Sequence, residues 1–369
     1  MAPNIVNGTL TGVLNEHDAD TIDGGLAKDI VPLKGAEKRK IQPVWSNIII
    51  FTYLTGASLY GLFLFVTLQY KWQTYLWYEF TLYATAFGIT VGAHRLWSHR
   101  SFKAKLPLRL ILLFFSTMAF QNSIYEWSRD HRVHHKFTET DADPHNAMRG
   151  FFFSHVGWLL CKKHPAVKEK GKTIDLSDLE ADPWIMCQHK YYTILMILLC
   201  FVFPTVLPVA LWGESFSVAW HAAVFRWFFL INGTWCINSV CHLYGTKPYD
   251  KNYNPAENAQ LSFLTVGECW HNYHHVFPWD YKAAEFGGSR SNASAAIIEF
   301  FAKIGWAYDL KTVSPEVIEK RVQRTGDGSH PHWGSGEKDF SHPIWGWGDK
   351  DQNYKDKKSA VIRNKTLPK

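Results

Sequence analysis

The chain has 369 residues and carries 39 Lys and Arg against 33 Asp and Glu, a formal net charge of +6. Its length suits one large domain or two ordinary ones, and its mean hydropathy of −0.17 averages over strongly apolar windows. The basic residues fall between those windows rather than in a patch interleaved with aromatics, which excludes nucleic acid as a partner and favours a membrane setting.

Residues 1–40 are rich in Gly, Asn, Asp and Lys without sustained periodicity, and read as a flexible cytosolic tail ending in Glu37-Lys38-Arg39-Lys40. No cationic segment leads into an apolar one there, so no cleaved signal peptide is expected. Four apolar stretches follow that are long enough to cross a bilayer, which takes about 20 residues: 47–69, 75–93, 191–212 and 218–240. The last carries His221, Arg226 and Asn232, so it is expected to line a protein interior rather than face lipid. The run 107–120 is short and reads as interfacial or buried. If it crossed, the histidines at 94–99 and 131–135 would lie on opposite faces and could share no site. Four crossings put the tail, 94–190 and 242–369 on one side. Those regions hold nearly all the Lys and Arg, which makes that side cytoplasmic. The predicted fold is therefore an all-α integral membrane protein: four transmembrane helices within a domain 41–325, a helical cytosolic cap from 94–190 and 242–325, and a C-terminal tail 326–369. The triplets at Asn7, Asn292 and Asn364 would face the cytosol unglycosylated. The tail contains a short echo, His330-Pro331-His332-Trp333-Gly334 and His342-Pro343-Ile344-Trp345-Gly346. The six cysteines form no CxxC pair and are expected to be buried, reduced thiols.

Half of the 18 histidines fall into compact patterns. His94 and His99 form HRLWSH at the end of the second span. His131, His134 and His135 form HRVHH, and His271, His274 and His275 form HNYHH. Asn238 and His242 form NSVCH at the end of the fourth span. In HxxHH, positions i, i+3 and i+4 share a helical face, so three imidazoles can converge on one point or straddle two. His94 and His99 are i and i+5, far apart on a regular α-helix. They need a helix end or a bend between them, or each serves a different metal. Imidazole suits iron, zinc, copper and nickel, and nine histidines exceed the capacity of one ion, so two metals are the natural count. Asn238, a poor direct ligand, would act through a bound water. An all-nitrogen pair of irons can activate O2, and the membrane setting points to a lipid-like substrate. The remaining histidines, His145 and His155 among them, read as ordinary core or surface residues.

The set HRLWSH, HRVHHKF, NSVCHLYG and HNYHHVFPWDY resembles the membrane acyl-CoA desaturases, the stearoyl-CoA desaturase family, most of all its insect members of the moth type. The resemblance extends over about residues 40–325 and includes DADPHN at 141–146, GFFFSHVGWLL at 150–160 and GWAYDLK at 305–311. It implies two Fe2+ ions held by His94, His99, His131, His134, His135, His242, His271, His274 and His275, with Asn238 bound through water. Zinc can replace iron in purified material, since imidazole accepts both. The implied reaction converts a saturated C16 or C18 fatty acyl-CoA and O2 to a cis-alkene and water, in the endoplasmic reticulum membrane, with the active site and both termini cytosolic. Electrons come from cytochrome b5 and its NADH-dependent reductase. Arg129, Asp130, Asn122, Asn47, Lys162 and Lys163 match CoA contacts in type, cationic groups suiting its phosphates. Trp127, Thr234 and Trp235 match positions lining an acyl tunnel, and the second span, near Leu82 and Ala86, is expected to close its far end.

Three other readings compete. A related membrane hydroxylase would keep the metals and yield an alcohol, but NSVCH and the CoA-type contacts argue against it. A metal transporter would hold ligands at mid-membrane depth on broken helices. An adaptor with structural zinc would need only four ligands. The N-terminal stretch VLNEHDADTIDGGLAKDI and the overall pattern resemble housekeeping members of the desaturase family, which implies Δ9 chemistry, with Δ11 or another bond position as the alternative.

Overall fold

The computed structural model describes residues 41–286, 291–333, 347–348, 352 and 354–363. The apolar run after Pro43 forms α1 (Trp45–Val66), whose 22 residues span about 33 Å. After a short loop, α2 (Trp72–Phe87) runs without a break into a π-helix, Gly88–Ser98. α3 (Leu106–Thr117) is the fifth apolar run; its 12 residues reach about 18 Å, too short to cross. α4 (Ile124–Lys136) starts at the cap Ser123, which accepts from the Glu126 amide. α5 (Tyr192–Trp212) contains the π-helical stretch Ile197–Val202. α6 (Phe216–Leu243) has 28 residues and starts at Ser215, which accepts from Val218 N. α7 (Ala259–Leu264) and α8 (His271–Val276) are short helices of the cap.

Among the described residues, α1 and α5 are each long and apolar enough to cross a membrane. The other two expected crossings lie in α2 with its π-helical extension and in α6. Neither is among the helices apolar enough to cross: Thr81, Thr85 and His94 lie on one, and His221, Arg226 and Asn232 on the other. Arg226 is buried inside the helix bundle, where its two terminal nitrogens find partners and Nε does not. It donates to Thr85 Oγ1 at 3.1 Å, Met118 O at 3.3 Å and Cys200 O at 3.1 Å, so it ties α6 to α2, α5 and the turn after α3. The outward faces of these helices are apolar, with Phe63, Leu76, Phe80, Leu198 and Leu211 exposed.

The short loops after α1 and α5 meet. Glu214 accepts from Lys71 N at 2.9 Å and Thr74 Oγ1 at 2.6 Å, and Lys71 Nζ returns bonds to Trp212 O and Gly213 O. The α1–α2 and α5–α6 turns therefore lie on one face of the molecule. Two glycines allow close helix approach: a Cβ on Gly61 would strike the His221 carbonyl of α6, and one on Gly88 the backbone of α3 at Phe115 and Ser116.

At the other end, the cap packs around the π-helix, α3 and α4, with Val91, Trp97, Phe102, Leu108, Leu112 and Val133 in its core. A second core of Tyr249, Tyr273, Phe277, Trp279, Ile318 and Val322 supports α8. The chain is mostly helical but not wholly so: Lys103–Ala104 pairs antiparallel with Ala307–Tyr308, and Leu310–Thr312 with Val361–Arg363. That second pairing fastens part of the predicted C-terminal tail to the cap. His330 is also held there, donating to Glu285 at 2.9 Å, while the second half of the echo lies outside the described residues. The tail 1–40, Asn7 and Asn364 likewise lie outside them. Asn292 is 2 % exposed and caps Ala293–Lys303, a placement that leaves no room for a glycan.

Candidate metal centre and apolar cavity

The nine histidines sort into two adjoining groups. His94, His99, His131, His135 and His274 form one; His134, His242, His271 and His275 form the other. Within each group the ligand atoms lie within 4.8 Å of one another. Each HxxHH motif straddles the pair. On α4, His131 and His135 serve the first group and His134 the second. On α8 the split is reversed, with His271 and His275 in the second group and His274 in the first. His94 and His99 share the first group, so the reading in which each serves a different metal does not hold. The reason is the π-helix: with i→i+5 bonding, residues five apart stack on one face, and His99 N donates to His94 O at 3.1 Å.

The side chains fit a metal. Eight of the nine are buried, His131 partly so. Their Nε2 atoms converge: His94 and His274 at 2.9 Å, His99 and His131 at 2.7 Å, His135 and His274 at 3.1 Å, His271 and His242 at 3.0 Å, and His275 and His271 at 3.1 Å. Burial, with neighbouring imidazoles adding to it, holds His131, His135, His271, His274 and His275 well below the ordinary histidine range. They are therefore neutral, the form that ligates. Nε2 lone pairs crowded this closely would be satisfied by a cation between them, while Nδ1 of His135, His271 and His274 has no partner.

Carboxylates orient three of the rings, as is usual around metal-binding histidines. His94 Nδ1 donates to Glu268 at 2.6 Å, and Arg95 donates to the other oxygen of Glu268 at 2.7 Å. Burial pushes the Glu268 carboxyl up, but Arg95 and His94 outweigh it and hold it at about 2. His134 Nδ1 donates to Asp143 at 2.9 Å, and His242 Nδ1 to Glu139 at 3.3 Å. His145 was expected to be an ordinary residue; its ring centre lies 4.3 Å from that of His134, and its Nδ1 lies 3.6 Å from Asp143. His155, by contrast, sits in structural hydrogen bonds to Ser239 and Asn232. Asp143 and His145 lie in the DADPHN stretch, but no spacing rule singles out Glu139 or Glu268. The expectation of six buried, reduced thiols needs correction: Cys187 is exposed, and Cys161 and Cys236 are only partly buried. Cys241 and Cys269, 28 residues apart, are joined as a disulfide with Cα atoms 6.0 Å apart, and the other four are free. The segment before α7 joins the end of α6 to the loop before α8: Ala256 N donates to Cys241 O at 2.7 Å and Asn258 N to Cys269 O at 2.8 Å, tertiary contacts that no local motif announces.

An apolar cavity of about 460 Å³ leads away from the histidines, within the range of about 300–1,000 Å³ for ligand sites. His94, His131, His134, His271, Asn238 and Trp127 line its inner end. Ala86, Ile89, Leu230, Gly233 and Thr234 line its middle. Leu82 and Ala86 are both in the wall, but the lining continues past them to Tyr78, Glu79, Leu62 and Val66, so the far end lies about a turn beyond Leu82. Trp127 stacks on His131 with ring centres 4.8 Å apart, and Thr234 accepts from Gln121 at 2.9 Å. Trp235 does not line the cavity; it packs in the core against Phe51 and His155. Adjacent α6 positions point about 100° apart, so Thr234 takes the cavity side and Trp235 the core.

The remaining expected substrate residues lie outside the cavity wall. Asp130 is paired with Arg129 at 3.0 Å and with Lys163. Burial opposes ionisation there, but the two cations hold the Asp130 carboxyl below its ordinary value. Asn47 Nδ2 donates to Leu159 O at 2.8 Å, Lys162 is exposed, and Asn122 is exposed in the left-handed region at φ 71°.

Two helices apolar enough to cross a membrane, and two buried imidazole clusters that could hold metal at the end of an apolar cavity, define the class. Residues 70–285 match the fatty acid desaturase family model. The chain is 57 % identical over 348 residues to an acyl-CoA Delta-9 desaturase of Acheta domesticus, covering 92 % of this chain and 96 % of that one. It is 52 % identical over 303 residues to an acyl-CoA Delta(11) desaturase of Trichoplusia ni (82 % and 86 %). It is 53 % identical over 292 residues to the human stearoyl-CoA desaturase (79 % and 80 %). The chain belongs to the fatty acid desaturase family, and it is an oxidoreductase.

Proposed function

We propose that this chain is a four-span, di-iron acyl-CoA desaturase of the endoplasmic reticulum that introduces a cis double bond at C9 of a saturated C16 or C18 acyl-CoA. O2 accepts the two hydrogens of the acyl chain, two electrons from cytochrome b5 and two protons from solvent, giving two waters. The observation that carries this reading is one continuous feature: an apolar cavity whose inner end is walled by His94, His131, His134 and His271. Iron held by the two histidine groups would supply the oxidising power to break an unactivated methylene C–H bond.

The protein's own residues do the rest. The cavity wall orients the tail and excludes water, and Trp127 presses against His131 where the reacting carbons would lie. Asn238 faces the same space and complements the second group through water, which agrees with that group holding four imidazoles against five in the first. Arg129, Lys162 and Lys163 would take the CoA phosphates, with Asp130 holding Arg129 and Lys163 in place, and with Asn47 and Asn122 as further polar contacts. Cytosolic placement of the site and both termini is supported by the short opposite loops and the Lys and Arg content of the cap. The Δ9 assignment is supported by the Delta-9 relative, and Δ11 is its alternative.

Expression in yeast lacking its own desaturase, with fatty acids profiled by gas chromatography–mass spectrometry, tests the reading. The expected result is a new cis-9 monoene that disappears in His135→Ala. A C11 double bond would change only the regiochemistry. A hydroxylated product, or none from iron-loaded protein, would overturn the reading. In the same assay Ala86→Phe, which fills the middle of the cavity, is expected to raise the ratio of C16 to C18 products about fivefold or more. An unchanged ratio would remove Ala86 from the determinants of chain length.

A further inference from the structure

The cavity is not closed all round. Tyr83 of α2 and Phe229 of α6 line it, yet they are 47 % and 45 % exposed. Phe263 and Leu264 of α7 also line it and are more exposed still. One turn along α6 from Phe229 is Gly233, another wall residue, and a Cβ placed there would meet no atom within 4 Å. Gly61 and Gly88 are required by close helix approach; Gly233 is not, and a glycine inside a helix is otherwise unfavourable. What Gly233 provides is space, between two helices read as membrane spans, beside exposed apolar rings.

We infer that the gap at Gly233, flanked by Tyr83 and Phe229, is a lateral mouth through which acyl tails pass between the bilayer hydrocarbon and the cavity. The identity of the tail rests on the acyl-CoA reading above. An acyl-CoA is an amphiphile whose tail is already dissolved in the membrane. A tail that slides sideways between α2 and α6 never enters water, whereas threading from the cytosolic end would expose each methylene at a cost in free energy. The kinked product leaves by the same path without being drawn lengthwise past the histidines. Phe263 and Leu264 lie at the cavity wall as apolar guides for the tail.

The test uses the metal-loaded enzyme in nanodiscs containing phosphatidylcholine with a diazirine on its acyl chain, irradiated and mapped by mass spectrometry. The expected result is label on the buried wall residues Ala86, Ile89 and Leu230, displaced by excess stearoyl-CoA. Gly233→Leu is expected to lower that label at least fivefold, with labelling of the outward Leu76 and Phe80 unchanged. Label confined to outward positions in the wild type would overturn the mouth, and this holds even where the leucine variant is not recovered folded. Cavity label unaffected by Gly233→Leu would overturn the role of the gap. Cavity label that stearoyl-CoA fails to displace would uphold the mouth and overturn the acyl-CoA reading.

Discussion

His274→Ala is expected to halve the metal content of the purified enzyme and to lower desaturation by about a thousandfold or more. His274 stands between His271 and His275 in the sequence, but its Nε2 approaches His94 at 2.9 Å and His135 at 3.1 Å, in the first group. Its neighbours meet His242 and each other in the second. His271→Ala should therefore also leave one metal per chain, lost from the other group, and the double variant should hold almost none. The loss of a direct ligand exceeds the roughly 10–100-fold effect typical of groups that only orient ligands. Elemental analysis of purified protein beside a turnover assay checks both. Retention of both metals in His274→Ala would show that the two motifs do not straddle the groups.

Glu268→Ala is expected to cost more in stability than any single ligand. Glu268 is 4 % exposed and Arg95 1 %. Removing the carboxylate leaves a buried guanidinium without its counter-charge, a loss of about 3–5 kcal/mol, against a total stability of about 5–15 kcal/mol for a typical domain. It also releases His94, whose ring the carboxylate holds at 2.6 Å. The expected outcome is poor recovery of folded protein and a markedly lower thermal midpoint in detergent. Glu268→Gln keeps the shape and one hydrogen bond, and should fall between. A Glu268→Ala protein that melts like the wild type would show that Arg95 is compensated by its bonds to Tyr281 O and Asn292.

Much of this was legible in the residues. The i, i+3, i+4 spacing of both HxxHH motifs follows from helical geometry, and it left open whether the rings converge or straddle. The straddle emerges only when α4 and α8 are set side by side, which no local pattern encodes. The i, i+5 spacing of His94 and His99 looked anomalous because it was measured against an α-helix; a wider helix removes the anomaly. Arg226 was readable as an interior residue from the price of exposing a charge to lipid, whereas Glu139 and Glu268 carry no spacing at all. They are found only through the ring nitrogens they touch. Thr234 and Trp235 match the same expectation in sequence and diverge in space because successive helix positions face different neighbours.

The division of ligands between distant segments also dates the assembly of the site. The first group draws on positions 94, 99, 131, 135 and 274, and the second on 134, 242, 271 and 275. Neither set can be completed until His275 or its close neighbours have emerged from the ribosome, long after α1 and α2 have been made. A chain synthesised from its N-terminus must therefore place its membrane helices with the imidazoles still empty. On the di-iron reading proposed above, metal would be the last component to arrive, and iron shortage would leave a pool of inserted, unloaded protein rather than a failure of insertion.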